Sequence, residues 1–427
     1  MTFALAILPI LLLLIGFPIF LVLLTSVSVA LVFYMNVPLA VLHQNLFGSV
    51  NSFSLLSIPF FIFAGELMGR GSVAQRLVDV VQSGMGATRG SLGVTTVGTS
   101  AIFGAISGVS SACVATIGRI MYPAMRRNGY PEPFAAGLVT AVGAIDIIIP
   151  PSVPLIIYGA AASESVPRLY AAGFLPGLLL AVMLSAYVMW VARRQGFGSS
   201  PPFSLKAFSR SLIRGMWALG MPFIILGGIY GGVFSPTEAA AVACVYAALV
   251  TMFVFRELGV RDILQAAETT ALFSAQILLI VACASVFAWL LTVNQVPAAI
   301  VAWIDALRVP PWLLLIVINL ILLLIGCFVD PISAILLMTP LLVPVVKAAG
   351  IDTVHFGIIM TVNLAIGLFH PPFGMNIFVA QSVLGLKLSS IYRGIIPFLV
   401  IYLIALVLIT FVPQISLLGP QLLMRTP

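Results

Sequence analysis

The stretch Gly143-Ala-Ile-Asp-Ile-Ile-Ile-Pro150-Pro151-Ser152 decides how the chain is read. It sets two adjacent prolines in the middle of a long apolar run. Proline lacks the N–H that would bond the carbonyl four residues back, so Pro150 and Pro151 free the carbonyls of Asp146 and Ile147. The device returns at Leu364-Ala-Ile-Gly-Leu-Phe-His370-Pro371-Pro372-Phe373, where the carbonyls of Gly367 and Leu368 are freed. In hydrocarbon an unsatisfied carbonyl is costly and is tolerated only inside protein or beside a water-filled cavity. Two such breaks in matching places point to the midplane site of a transporter.

The two stretches share a register. At an offset of 221 residues (371 − 150), Pro123 falls on Pro344, Gly129 on Gly350, Gly173 on Gly394 and Pro176 on Pro397. Prolines and glycines carry weight because they fix backbone geometry. The chain therefore reads as an internal repeat over 51–195 and 265–415. Residues 1–50 form an N-terminal scaffold, 196–264 a basic linker with scaffold helices, and 416–427 a C-terminal tail.

Composition sets the class. Of the 427 residues 62% are hydrophobic and only 7% charged, with mean hydropathy +1.22. A soluble domain carries about 25% charged residues. The chain is read as an all-α polytopic membrane protein, and its net charge of +7 bears on topology rather than on nucleic acid. Cys113, Cys244, Cys283 and Cys327 stand singly in apolar segments, which suggests neither a disulfide framework nor a metal site. The first segment lacks a basic start and reads as a retained helix rather than a cleaved signal.

In chain order, 3–46 reads as one long or two broken helices with a kink at Pro18, followed by a helix over about 51–68 and a polar amphipathic connector over 70–90. Residues 92–125 are apolar but interrupted by Ser107-Gly-Val-Ser110-Ser111, and read as a re-entrant hairpin turning at 107–111. A Pro-Pro-broken helix over 134–160 and a helix over about 170–193 follow. Residues 194–214 are the most polar stretch. Helices at 215–233 and 236–255 are joined by Ser235-Pro-Thr-Glu238, a capping box that explains Glu238 structurally. After a helix at 269–293 comes a second hairpin, 312–347, interrupted at Phe328-Val-Asp330-Pro331-Ile332, where Asp330 suits an N-cap. Then come a second broken helix, 355–384, and a last helix at about 394–413.

The basic linker 194–214 belongs in the cytoplasm by the positive-inside rule. Counting passes outward leaves Arg168, Arg308, Lys347 and Arg425 external and Arg119 inside the first hairpin, with the remaining fourteen of the 19 Lys and Arg cytoplasmic. Five passes separate the two broken helices, so the repeats are inverted.

Inverted repeats with paired hairpins and paired broken helices describe a secondary transporter with alternating access. Half-helix N-termini suit anionic substrate groups, and unwound carbonyls and hydroxyls suit Na⁺. One candidate ion site joins Ser107 and Ser110 to the backbone of Gly143, Asp146, Ile148 and Pro150. The other joins the tip at Asp330 to Asn363, Gly367 and Pro371. Ser111, Arg119, Ser152 and Asn376 are the candidate substrate contacts. Alternatives stand beside several of these. Each serine also reads as a helix–helix hydrogen bonder. Asp146 is either functional or a polar group facing a cavity or pairing with Arg119, and Arg119 either attracts a carboxylate or snorkels. Asp330 is an ion contact or merely a cap. His370 is a proton shuttle or a packed residue, and Glu66 sits at a helix end near the interface. His43, His355 and His370 share no metal-ligand spacing and no phosphate loop exists, which argues against a metal enzyme and against direct use of ATP.

Three strings carry a family resemblance: Gly227-Gly-Ile-Tyr-Gly-Gly-Val-Phe-Ser-Pro-Thr-Glu-Ala-Ala-Ala241, Ile149-Pro-Pro-Ser-Val-Pro-Leu-Ile-Ile-Tyr-Gly159, and His355-Phe-Gly-Ile-Ile-Met360 running on through Asn363 to Pro372. Together they resemble the large membrane subunit (DctM-like) of TRAP, or tripartite ATP-independent periplasmic, transporters, over essentially the whole chain. The resemblance implies a bacterial inner-membrane, Na⁺-coupled importer of organic acids. It also implies an elevator-type motion of the hairpin domain, a small four-helix membrane subunit and a periplasmic substrate-binding protein, with Na⁺ as coupling ion and no other cofactor. Asp146 stands where the family more often has glycine, and His370 where it more often has threonine, which bears on the ion ligands. The alternative is a stand-alone ion-coupled carboxylate symporter of similar hairpin architecture.

Overall fold

A computed structural model describes residues 1–427 except Thr2, Asn36, Leu39, Ala87, 199–201 and 425–427. Arg425 and part of the 194–214 linker therefore lie outside the described residues. Among those described, every regular element is helical and there is no strand.

The N-terminal run is broken twice rather than once. A π-turn at Phe3–Ile7 leads into α1 (Leu8–Leu14), which stops before Pro18; α2 is Ile19–Tyr34 and α3 is Ala40–Val50. The second break contains Pro38. Next come α4 (Ser57–Arg70) and α5 (Val73–Met85), so the expected polar connector is largely helical. It buries Val73, Ala74, Leu77, Val78 and Val80 and turns its charged face outward.

The first hairpin is α6 (Ser91–Ser107) and α7 (Ser110–Arg127). Its reversal needs Gly108, which sits at φ +59° with the Pro151 carbonyl 3.1 Å from where a Cβ would stand. The first broken helix follows as α8 (Glu132–Asp146) and α9 (Val153–Ala162), and then α10 (Val166–Gln195).

Helix α11 (Leu205–Tyr230) starts earlier than the polar composition suggested, because Ser204 caps it by accepting the N–H of Ala207. Lys206, Arg210 and Arg214 thus belong to a helix rather than to a linker. α12 (Pro236–Leu249) opens on the expected capping box between Ser235 and Glu238. α13 (Val260–Val293) begins nine residues before the expected 269 because Asp262 bonds back to the Gly259 N–H. The remaining helices are α14 (Val296–Ala306), α15 (Pro311–Gly326), α16 (Pro331–Ala348), α17 (Thr353–Gly367), α18 (Met375–Leu384), α19 (Leu388–Phe411) and α20 (Gln414–Leu423). The expected tail is mostly this last helix, held where Gly419 touches the Ala171 carbonyl on α10.

The repeat register reappears in the element boundaries. Adding 221 to the limits of α7 and α8 reproduces those of α16 and α17. α8 and α17 form the centre, since every residue over 135–146 and 354–367 is buried, as expected of a helix apolar all round. Seven helices among the described residues are long and apolar enough to cross a membrane. The pieces of each broken helix, at 15 and 10 residues, fall short of the ~20 a span needs. Both Pro-Pro bonds are cis.

Candidate substrate and ion site between the hairpin tips

Three of the four freed carbonyls find donors within their own break. Ser152 Oγ donates to the Ile147 carbonyl at 2.5 Å and accepts the Leu155 N–H, capping α9. Across the second break the Asn376 N–H donates to the Leu368 carbonyl at 2.8 Å and the His370 N–H to the Gly367 carbonyl at 3.4 Å. Ser152 is therefore occupied as a cap, is fully buried and does not line the central cavity.

The first tip presses directly on the first break. Ser107 Oγ donates to Asp146 Oδ2 at 2.9 Å, and the Val109 N–H points back to Ser107 Oγ at 3.3 Å. A Cβ on Gly104 would stand 2.6 Å from Asp146 Oδ1, so this α6 glycine lets the backbone close over the carboxylate. Asp146 is fully buried, and its Oδ1 has no hydrogen-bond partner. Ion pairs among the described residues are Arg70–Glu66 and Arg76–Glu257, so Arg119 does not neutralise Asp146. Arg119 is instead exposed and lines none of the cavities at the tips, because the face of α7 that packs on α8 carries Val114, Ile117 and Gly118. A charged carboxylate at full burial demands a compensating cation or proton.

Ser110 ties the two repeats together. Its hydroxyl donates to the Gly143 carbonyl at 2.7 Å and accepts from Asn376 Nδ2 at 2.9 Å; the same amide nitrogen lies 3.4 Å from the Thr140 carbonyl. Asn376, a candidate substrate contact, is fully buried in this bridge and does not face the cavity. The backbone of Ile148 is backed by Gly173 of α10, whose Cβ would sit 2.7 Å from the Ile148 carbonyl. Pro150 is buried beside it.

The second tip is built differently. Asp330 caps α16 by accepting the Ser333 N–H at 3.0 Å. Gly326 and Gly367 touch backbone to backbone, with a Cβ on Gly367 only 2.3 Å from the Gly326 carbonyl. Cys327 Sγ lies 2.9 Å from His370 Nδ1, which also approaches the Pro371 carbonyl at 2.5 Å. A small cavity of about 90 Å³ separates Asp330 from Gly367. Asn363 is not part of it. Its amide donates to Asn319 Oδ1 and to the Ile359 carbonyl, and Asn319 continues to Thr410, so this network ties α17 to α15 and α19.

Between the tips lies a cavity of about 270 Å³. Its walls include the first residues of four helices: Ser110 and Ser111 of α7, Val153 and Pro154 of α9, Pro331 and Ile332 of α16, and Met375 of α18. Each N-terminus carries a partial positive charge, although Pro154 and Pro331 offer no N–H, the N–H groups of Leu155, Ser333 and Asn376 are already bonded, and the Asp330 carboxylate shares the wall. Phe273 and Gln276 of α13 close the cavity from outside the repeats' hairpins. Sequence reasoning missed Gln276, although a lone amide in the run Phe273-Ser-Ala-Gln276-Ile-Leu-Leu is a visible signal. A second cavity of about 490 Å³ shares Val109, Ser111 and Phe273 with the first and runs to Glu66 and Arg70. There Arg70 pairs with Glu66 at 2.9 Å and reaches Gln265 and Thr269 of α13 at 3.3 Å.

Known proteins resemble the chain in both sequence and fold. Residues 6–415 match the model of the family described as tripartite ATP-independent periplasmic transporter, DctM component. The chain is 40% identical over 376 residues to the C4-dicarboxylate TRAP transporter large permease protein DctM of Pseudomonas aeruginosa, covering 88% of each. It is 35% identical over 379 residues to the sialic acid TRAP transporter large permease protein SiaM of Vibrio cholerae, covering 89% of each. Among solved structures, the Alcanivorax borkumensis YdaH transporter shares the fold with a TM-score of 0.66 at 16% identity, over 94% of this chain and 97% of that one.

Proposed function

Because the chain belongs to the DctM family, the large permease subunits of tripartite ATP-independent periplasmic transporters, we propose that it imports an organic acid across the inner membrane with Na⁺ as the coupling ion. It is a multi-pass transporter subunit and not an enzyme. The observation that carries the proposal is the convergence of four helix N-termini on one cavity between the hairpin tips. Their partial positive charge suits a carboxylate where the wall holds no cationic side chain, and the coupling cation offsets the Asp330 carboxylate that stands in the same wall. This is also how anionic groups are held at the discontinuous helices of secondary transporters.

The coupling ion belongs beside the substrate, at the two tip–break junctions. In the first, Asp146, Ser107 and the carbonyl of Gly143 supply oxygen. In the second, the oxygen donors are Asp330 and the backbone around Gly367 and Pro371. Support for the first is a buried carboxylate oxygen with no partner. Transport then moves the hairpins and broken helices, as one elevator-like body, against a scaffold that includes α4 and α13. The passage toward Arg70 is the cytoplasmic exit, on the side to which charge assigns Arg70. A periplasmic binding protein delivers the substrate and a small four-helix membrane subunit completes the assembly.

The test is uptake of labelled C4-dicarboxylate and sialic acid into proteoliposomes holding this chain and its small subunit. Uptake that needs both an inward Na⁺ gradient and the binding protein supports the reading. Uptake without the binding protein makes the chain a stand-alone symporter, and full replacement of Na⁺ by a proton gradient removes Na⁺ from the account.

A further inference from the structure

We propose a binding site for an anionic phospholipid headgroup away from the transport cavity, where α8, α10 and α19 meet. α8 and α19 cross almost in contact: a Cβ on Gly394 would lie 1.8 Å from the Pro133 carbonyl, and one on Gly137 would lie 2.1 Å from Gly394. This crossing places Arg393, the neighbour of Gly394, beside the start of α8 and the end of α10. A cavity of about 320 Å³ opens there, and its wall holds both Arg393 and Arg194.

Both guanidiniums are exposed, and neither has a carboxylate within ion-pair distance among the described residues. The one nearby acid, Glu132, is turned to the Ser390 hydroxyl at 2.9 Å and is not in the wall. The floor is aromatic. Phe134 packs on Tyr187 and Phe398, Tyr187 meets Trp190, and Arg194 lies 5.2 Å from the Trp190 ring. Two unpaired guanidiniums over an aromatic floor suit a phosphate group, and basic pockets between transmembrane helices take anionic headgroups.

The surroundings favour a lipid over free phosphate. Phe174, Leu178, Val182 and Trp190 are exposed on α10, in a row that winds about the helix toward its end, with Trp190 one turn before Arg194. Ile396, Val400 and Ile404 are similarly exposed on α19 beyond Arg393. Two apolar ridges ending on two arginines offer acyl chains a track that leads the headgroup into the cavity, with Trp190 at the interfacial level.

The experiment measures thermal stabilisation of the purified full-length chain in mild detergent against added phosphatidylglycerol. Phosphatidylcholine and inorganic phosphate at matched concentration are the comparison arms. Phosphatidylglycerol is expected to raise the melting temperature and the other two are not. Arg194→Gln and Arg393→Gln are each expected to weaken the apparent affinity about fivefold, and the pair about 30-fold. Arg126→Gln with Arg127→Gln is expected to leave it within about twofold. An undiminished response in the double variant, or an equal response to phosphatidylcholine or inorganic phosphate, overturns the proposal. Should the double variant fail to fold, native mass spectrometry of the unaltered chain decides, and retention of phosphatidylcholine as readily as phosphatidylglycerol likewise overturns it.

Discussion

Asp146 and Gly367 occupy the same register position, 221 residues apart (367 − 146), yet one is a buried carboxylate and the other a bare backbone contact. The second repeat carries its acid at the tip instead, where Asp330 aligns with Val109. The two proposed ion junctions are therefore related by backbone symmetry but not by side-chain chemistry. Ser107→Ala removes one hydrogen bond to a carboxylate, worth about 1.5 kcal/mol. It is expected to raise the Na⁺ concentration for half-maximal uptake about tenfold while leaving maximal uptake within about twofold, read from Na⁺ titrations in proteoliposomes. The pairing of Ser107 with Asp146 was legible because tip and break face each other in one register. Arg119, Ser152 and Asn376 were not. The first depends on the rotation of α7 about its axis. The other two depend on which local carbonyl or hydroxyl captures a short polar side chain.

At the scale of elements, hairpins and broken helices were readable because each is an apolar run interrupted by proline, glycine or serine. The start of α11, the helix α5 and the helix α20 were less readable. Their polar or proline-containing sequences look like connectors until a cap or a packing partner fixes them. Two predictions belong here. Gly108→Ala places a side chain at φ +59° against the Pro151 carbonyl and is expected to cost about 1–2 kcal/mol. The readout is a lower melting temperature together with reduced uptake. The second concerns the junction of α12 and α13. Partial burial pushes the Glu257 carboxyl up, but its bonds from the Ser72 hydroxyl and amide and from Arg76, which also lies over Phe255, outweigh that and hold it below the usual 4.5. A carboxyl depressed on folding contributes stability above its unfolded value and loses it as pH falls through the folded one. The stability difference between wild type and Glu257→Gln is therefore expected to hold from neutral pH down to about 4.5 and to shrink progressively below that as pH falls through the lower folded value, in melting curves recorded against pH.

At the scale of the whole molecule, the proposed topology rests on the charge asymmetry read from sequence, which assigns the more basic face to the cytoplasm. All four native cysteines are buried, so introduced thiols report cleanly. Arg168→Cys is expected to react with a membrane-impermeant maleimide from outside intact cells, and Arg210→Cys only after permeabilisation. Reversed labelling would invert the topology and with it the direction of the passage to Arg70. The proposed Na⁺ coupling rests on one local claim, that the first tip–break junction is where the coupling cation sits. The measurement that tests it most directly is Na⁺-driven uptake by Asp146→Asn beside wild type, in proteoliposomes supplied with small subunit and binding protein. The account predicts that the variant, though folded, loses most of its stimulation by a Na⁺ gradient. An unchanged Na⁺ dependence would contradict it.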